Sequence, residues 1–120
     1  MRILIADDSD IVRRGVSLVL SGEAGWDVCG EACDGDEAVA KVKGLNPDVV
    51  VIDMRMPGKN GLEVAGLIHQ EFPNIIVIIM SQYDRNALLP RALEAGASAC
   101  VDKSKLAPCL VDTIRQVMHG

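Results

Sequence analysis

Residues 48–61 read DVVVIDMRMPGKNG. Four apolar residues, Val49 to Ile52, run into a carboxylate, Asp53; then Pro57, Gly58 and Gly61 turn the chain. A short Val/Ile run that is apolar on both faces suits a strand of a parallel sheet covered on both sides. The end of such a strand is an expensive place for an unpaired charge. Asp53 is therefore either a solvated loop residue or a carboxylate whose charge is put to use.

Similar runs recur along the chain. Ile3–Ala6 predicts a first strand, Asp27–Gly30 a weaker one suited to a sheet edge, Ile75–Met80 a fourth and Ala97–Val101 a short fifth. Between them, apolar residues recur at spacings of three and four, as an amphipathic helix requires. Ile11, Val12, Val16, Val19 and Leu20 form one stripe, and Ala38, Val39, Val42 and Leu45 a second. Leu62 to Ile68, Leu88 to Ala95 and Leu110 to Met118 give three more. Gly96 fits a C-cap, and Pro108 fits the first position of the last helix, where its missing N–H costs nothing. Pro90 would break a helix begun near residue 84, so that helix is expected to start late or to be loose over residues 84–89. Five strands alternating with five helices predict one α/β domain over residues 1–120, with a doubly wound parallel sheet. A common strand order for this class is 2-1-3-4-5.

Bulk properties narrow the function. The 120 residues are 49% hydrophobic, enough for one core. With 12 basic and 17 acidic residues the net charge is −5, a poor match to a phosphate backbone. Aromatics are 2% (Trp26, Phe72, Tyr83), which leaves no stacking platform for bases. Cys29, Cys33, Cys100 and Cys109 form no CxxC pair and lie far from His69 and His119 in sequence. They are read as reduced thiols in the core of a cytoplasmic protein. No signal peptide or membrane-length apolar run is present.

The residues that follow the strands carry the chemistry. Strand 1 ends in Asp7-Asp8, strand 3 in Asp53, strand 4 in Ser81 and strand 5 at Asp102-Lys103. In an open α/β sheet these ends share one rim, and ligands bind at the switch point between strands 1 and 3. Taken singly, each residue could be a turn or a helix cap, Asp8 or Ser9 for the first helix among them. Taken together, three carboxylates would crowd one pocket, and a cation relieves their repulsion. All-oxygen donors select Mg²⁺ or Mn²⁺. Lys103 then serves as a point charge for a phosphoryl group, Ser81 as its hydroxyl donor and Asp53 as the nucleophile that becomes an aspartyl phosphate.

MRILIADDS, VVVIDMRMPGKNG, VIIMSQ and GASACVDK resemble the receiver domain of two-component response regulators, over essentially the whole chain. DDSDIVRRG and EACDGDEAV resemble the NarL/FixJ (LuxR-type) subfamily, whose members usually carry a C-terminal helix-turn-helix domain. The resemblance implies a flavodoxin-like (βα)5 fold. It implies phosphorylation of Asp53 by a sensor histidine kinase, with Mg²⁺ held by Asp7, Asp8, Asp53 and the backbone carbonyl of Arg55. Ser81 and Lys103 would contact the phosphoryl oxygens, Ser81 coupling the phosphate to the face of helix 4, strand 5 and helix 5. Phosphorylation would promote a homodimer, and DNA would be bound only through a separate output domain. The domain would catalyse its own phosphorylation without turnover on an outside substrate.

Two positions depart from the family pattern. Cys100 occupies the switch position, where Tyr or Phe is common, and cannot swing a bulky ring. Ser104 follows the lysine where many receivers have proline, which leaves the isomer of that bond open. Tyr83 either gates the pocket or is an exposed loop residue. Other readings are a stand-alone single-domain regulator, a haloacid-dehalogenase-like phosphatase and a flavodoxin-like electron carrier. The phosphatase would want an acid where Arg55 stands, and a cap domain. The electron carrier would want a hydroxyl- and glycine-rich loop where Asp7-Asp8 stands.

Overall fold

A computed structural model describes residues 1–82 and 85–119. The element order is β1 (Arg2–Ala6), α1 (Asp10–Ser21), β2 (Asp27–Ala32), α2 (Gly35–Leu45), β3 (Val49–Asp53), α3 (Gly61–Glu71), β4 (Ile76–Ser81), α4 (Arg85–Ala95), β5 (Ala99–Asp102), a short 3-10 turn at Lys103–Lys105, and α5 (Leu106–His119). All neighbouring strands pair parallel, in the order β2-β1-β3-β4-β5, as the sequence predicts.

Alternation along each strand divides the core in two. Leu4 and Ala6, Val50 and Ile52, Val77 and Ile79 pack with residues of α2, α3 and α4, such as Val42, Val64 and Leu88. Ile3 and Ile5, Val49 and Val51, Ile78 and Met80 pack with residues of α1 and α5, such as Leu20 and Ile114. Both faces are covered, so these strands have no polar face, and the period-two signal appears only as a division of partners. The same parity sends Asp7 and Asp53 toward the α1/α5 side of the rim and Ser81 toward the α4 side.

Several boundaries differ from expectation. β2 is the edge strand but runs on to Ala32; at an edge, exposed Glu31 is compatible with strand pairing. Helix α4 begins at Arg85 and contains Pro90, so it neither starts late nor leaves residues 85–89 loose. Buried Leu88 and Ala92, four residues apart, anchor it, while Pro90 lies on the exposed side; packing offsets the missing donor. Gly96 follows α4 with φ 110°, as a C-cap should. Pro108 is the third rather than the first residue of α5, still within the opening turn, whose N–H groups need no partner inside that helix. Cys33 is exposed rather than in the core, because β2 ends one residue before it; Cys100 is buried, and Cys29 and Cys109 are half-buried. The Lys103–Ser104 peptide is trans. Tyr83 lies outside the described residues. Among the described residues no helix is long and apolar enough to cross a membrane.

Candidate functional site

The carboxyl-end rim holds a cleft of about 330 Å³ lined by Asp7, Asp8, Asp53, Arg55, Ser81 and Lys103, together with Ser9, Val12, Met54 and Gln82. Every site residue predicted from the sequence is therefore brought to one place. Asp7, Asp53 and Ser81 are buried polar residues, at 0%, 6% and 2% exposure, while Asp8 is exposed.

Local folding explains each placement. Asp7 follows β1, and its N–H donates to Ala32 O at 3.0 Å, extending the β1–β2 ladder by one residue. Ser9 caps α1 by accepting from Val12 N, and its own N–H donates to Asp7 Oδ1 at 2.9 Å. So Ser9, not Asp8, is the cap, and Asp8 faces the cleft. Asp53 closes β3, with the next N–H, on Met54, donating to Met80 O at 2.8 Å. The loop after it is drawn tight: Gly61 N donates to Met54 O at 2.8 Å. A Cβ on Gly61 would lie 2.7 Å from Asp53 O and 2.9 Å from Met54 Cα, so only glycine lets the start of α3 press against Asp53. Asn60 then caps α3 in a reciprocal capping box with Glu63.

Lys103 follows β5 and reaches into the acids. Its Nζ lies 2.9 Å from Asp7 Oδ2 and 3.3 Å from Asp53 Oδ2. Asp102 Oδ1 accepts from both Ser104 N (2.9 Å) and Ser104 Oγ (2.7 Å), which fixes the turn carrying the lysine. The Asp53 carboxyl is raised above the usual range, first by burial and then by the Asp7 charge; Lys103 and the Arg55 N–H pull it partly back. Burial works to lower the Lys103 ammonium, but its pairing with Asp7 and Asp53 outweighs this and leaves it raised.

The acids fit a hard cation. Asp7, Asp8 and Asp53 each bring a carboxylate oxygen within 4.8 Å of the others. Asp7 Oδ2 is buried and lacks an aligned hydrogen bond, although the Lys103 ammonium is near. Three oxygen donors, one of them the buried Asp7 Oδ2 that faces the Lys103 ammonium, match Mg²⁺ or Mn²⁺ rather than zinc.

Two features escaped the sequence reading. Cys33, Asp34 and Glu37 also gather, but Asp34 is the cap of α2 and Cys33 contacts Glu37 four residues on; local helix geometry accounts for that group. Arg13 matters more: its Nη1 donates to the Asp7 carbonyl at 2.6 Å. The signal was available, because Arg13 stands one turn beyond the Ser9 cap and helical side chains lean toward the N-terminus.

Known proteins share this architecture. The chain is 38% identical over its whole length to the transcriptional regulatory protein LnrK of Bacillus subtilis (strain 168), of which it covers 54%. It is 32% identical, again over its whole length, to the transcriptional regulatory protein DegU of Brevibacillus brevis, of which it covers 51%. It thus spans about half the length of these curated relatives. The structure of a two-component response regulator of the LuxR family from Aurantimonas sp. SI85-9A1 is 34% identical with a TM-score of 0.93, over 99% of this chain and 85% of that one. The response regulator domain of Thermotoga maritima CheB gives 33% and 0.90, over 100% and 97%. The response regulator receiver domain family matches residues 3–115, a span that holds every residue lining the cleft and all of the sheet but Arg2, and the chain belongs to that family.

Proposed function

We propose that Asp53 is the phosphoacceptor of this receiver domain and that Asp7, Asp8, Asp53 and the Arg55 carbonyl hold Mg²⁺ beside it. The observation that carries this reading is the triad in which the half-buried Lys103 faces both of the buried acids Asp7 and Asp53. A sensor histidine kinase is the donor. An Asp53 carboxylate oxygen attacks phosphorus, the P–O bond forms, the P–N bond of the phosphohistidine breaks, and the leaving imidazole nitrogen picks up a proton. Lys103 shifts from its carboxylate partners to the incoming phosphoryl oxygens, and Ser81 donates its hydroxyl to them. A bound Mg²⁺ supplies neutralisation of the charge that gathers on the acids and the phosphoryl group.

The added charge biases a two-state surface on α4, β5 and α5, or on α1 and α5, and promotes a homodimer. Cys100 is buried against the α3/α4 side of the core, so coupling runs through Ser81 and α4 without a swinging ring. The setting is the cytoplasm, and the output is transcriptional through a separate DNA-binding domain, in line with the names of the relatives.

Acetyl phosphate with Mg²⁺, followed by intact mass, tests the reading. One phosphoryl adduct on the native protein and none on Asp53→Asn is expected. Absence of an adduct, or steady hydrolysis of phosphate monoesters, overturns it. Sedimentation with beryllofluoride tests the dimer, and an unchanged monomer rejects that part.

A further inference from the structure

Asp7 does more than offer an oxygen. It lies one residue past the end of β1, where its carbonyl has left the strand ladder, and it is wholly buried. Its N–H is taken by Ala32 O and its Oδ1 by Ser9 N, which leaves Oδ2 toward Lys103. The carbonyl is taken by Arg13 Nη1 at 2.6 Å. The guanidinium is itself held: Nε donates to Glu31 Oε1 at 3.1 Å and Nη2 to Asp10 Oδ1. One planar group therefore ties together the end of β2, the first turn of α1 and the Asp7–Asp8 peptide. Its side chain is 15% exposed, and it is absent from the lining of the cleft. A cation in the cleft would not meet it.

We infer that Arg13 is a positioning residue for the carboxylate pair, fixing the Asp7–Asp8 step through the Asp7 carbonyl so that both acids present their oxygens to one cation. This rests on the reading of the cleft as a Mg²⁺ site. A lysine would supply charge and three donors on a single nitrogen, but not the planar fork whose three nitrogens reach Glu31, Asp10 and Asp7 at once. Groups behind metal ligands characteristically act on affinity, because they set the ligand's orientation.

The test is Mn²⁺ binding, followed by electron paramagnetic resonance, on the native protein, Arg13→Gln and Arg13→Lys. Arg13→Gln is expected to weaken Mn²⁺ by about tenfold, with Arg13→Lys recovering part of the loss. In parallel, the Mg²⁺ concentration giving half-maximal adduct formation from acetyl phosphate rises with the same ranking, while the rate at saturating Mg²⁺ holds. That split separates positioning from general loss of fold, which would lower the saturating rate. If Arg13→Gln does not fold, Glu31→Gln and Asp10→Asn together loosen the guanidinium while leaving it in place, and the same weakening in smaller degree is expected. Unchanged Mn²⁺ affinity in the folded variants overturns the inference and leaves the site reading standing. A native protein that binds no Mn²⁺ overturns both.

Discussion

At the carboxyl-end rim, Lys103 meets Asp7 and Asp53 with side chains 13%, 0% and 9% exposed. At the opposite rim, Lys43 meets Glu71 at 3.6 Å with side chains 54% and 55% exposed. The opposite rim also has the roomier hollow, about 770 Å³, lined by Met1, Asp48, Glu71, Phe72 and Met118 among others, against about 330 Å³ for the acid cleft. Yet the buried polar residues described all lie at the carboxyl-end rim. Volume does not mark the chemistry here; charge taken out of water does, because only there is a carboxylate driven to seek a cation or a proton.

The comparison breaks most sharply on Asp53. Asp53→Asn is expected to abolish the phosphoryl adduct seen by intact mass, while Glu71→Gln at the opposite rim leaves it unchanged. Without metal the same Asp53→Asn change should raise Tm by a few degrees, because it removes a carboxylate whose ionised form burial and Asp7 both disfavour. A receiver whose Tm fell instead would mean that the Lys103 pairing outweighs that penalty. Lys103→Met comes next. It strips the counter-charge from two buried acids, and a loss of about 2 kcal/mol in urea unfolding is expected, below the roughly 3–5 of a fully buried pair because the lysine keeps some contact with water.

Gly61→Ala follows. The added carbon would press on Asp53 O and Met54 Cα, which are backbone atoms and cannot swing away. Overpacking of this kind costs about 1–3 kcal/mol. Adduct formation should slow as well, since the strain falls on the residue that carries the nucleophile; a stability loss with native adduct rates would show the loop to be decoupled from Asp53.

Much of this was legible in the sequence, for a definite reason. The runs at Ile3–Ala6 and Val49–Ile52 are apolar on both faces because helices cover both, and a carboxylate at the end of such a run has few places to go. The sequence alone therefore places Asp7, Asp8, Asp53, Ser81 and Lys103 on one rim. Helix α4 was misread because Pro90 was weighed by the backbone bond it forgoes, while its hold comes from Leu88 and Ala92 packing on the sheet, which composition does not reveal. Arg13 was missed because it reads as one of two adjacent basic residues on a helix, and only the lean of its side chain takes it back to Asp7. Cys33 was misplaced because cysteines without metal or disulfide spacing read as small core residues, whereas its position one residue past the end of the edge strand β2 leaves it exposed.

Acid and base titrations sharpen the contrast further. The folded protein holds the Asp53 proton more tightly than the unfolded chain does. Asp53 therefore makes stability fall as pH rises from about 4, the ordinary aspartate value, through its raised folded value. Lys103 is raised too; its contribution is complete below about 10.4 and is lost as pH rises through its folded value. Urea unfolding across pH should show the acid-side fall in the native protein and lose it in Asp53→Asn. Mg²⁺ should reverse that fall, because it favours the ionised carboxylate. If the difference between the two proteins stays flat with pH, Asp53 is not the group that burial perturbs.

The smallest expected effect belongs to the other lysine. Lys43 and Glu71 are more than half exposed, so water screens the pair and holding two long side chains together offsets the gain. Lys43→Ala should shift urea stability by less than about 0.5 kcal/mol, and moderate salt should erase even that. Adduct formation and Mn²⁺ affinity should match the native protein. A loss as large as that of Lys103→Met would mean that burial is not what separates the two ion pairs, and the case for locating the chemistry by buried charge would fail with it.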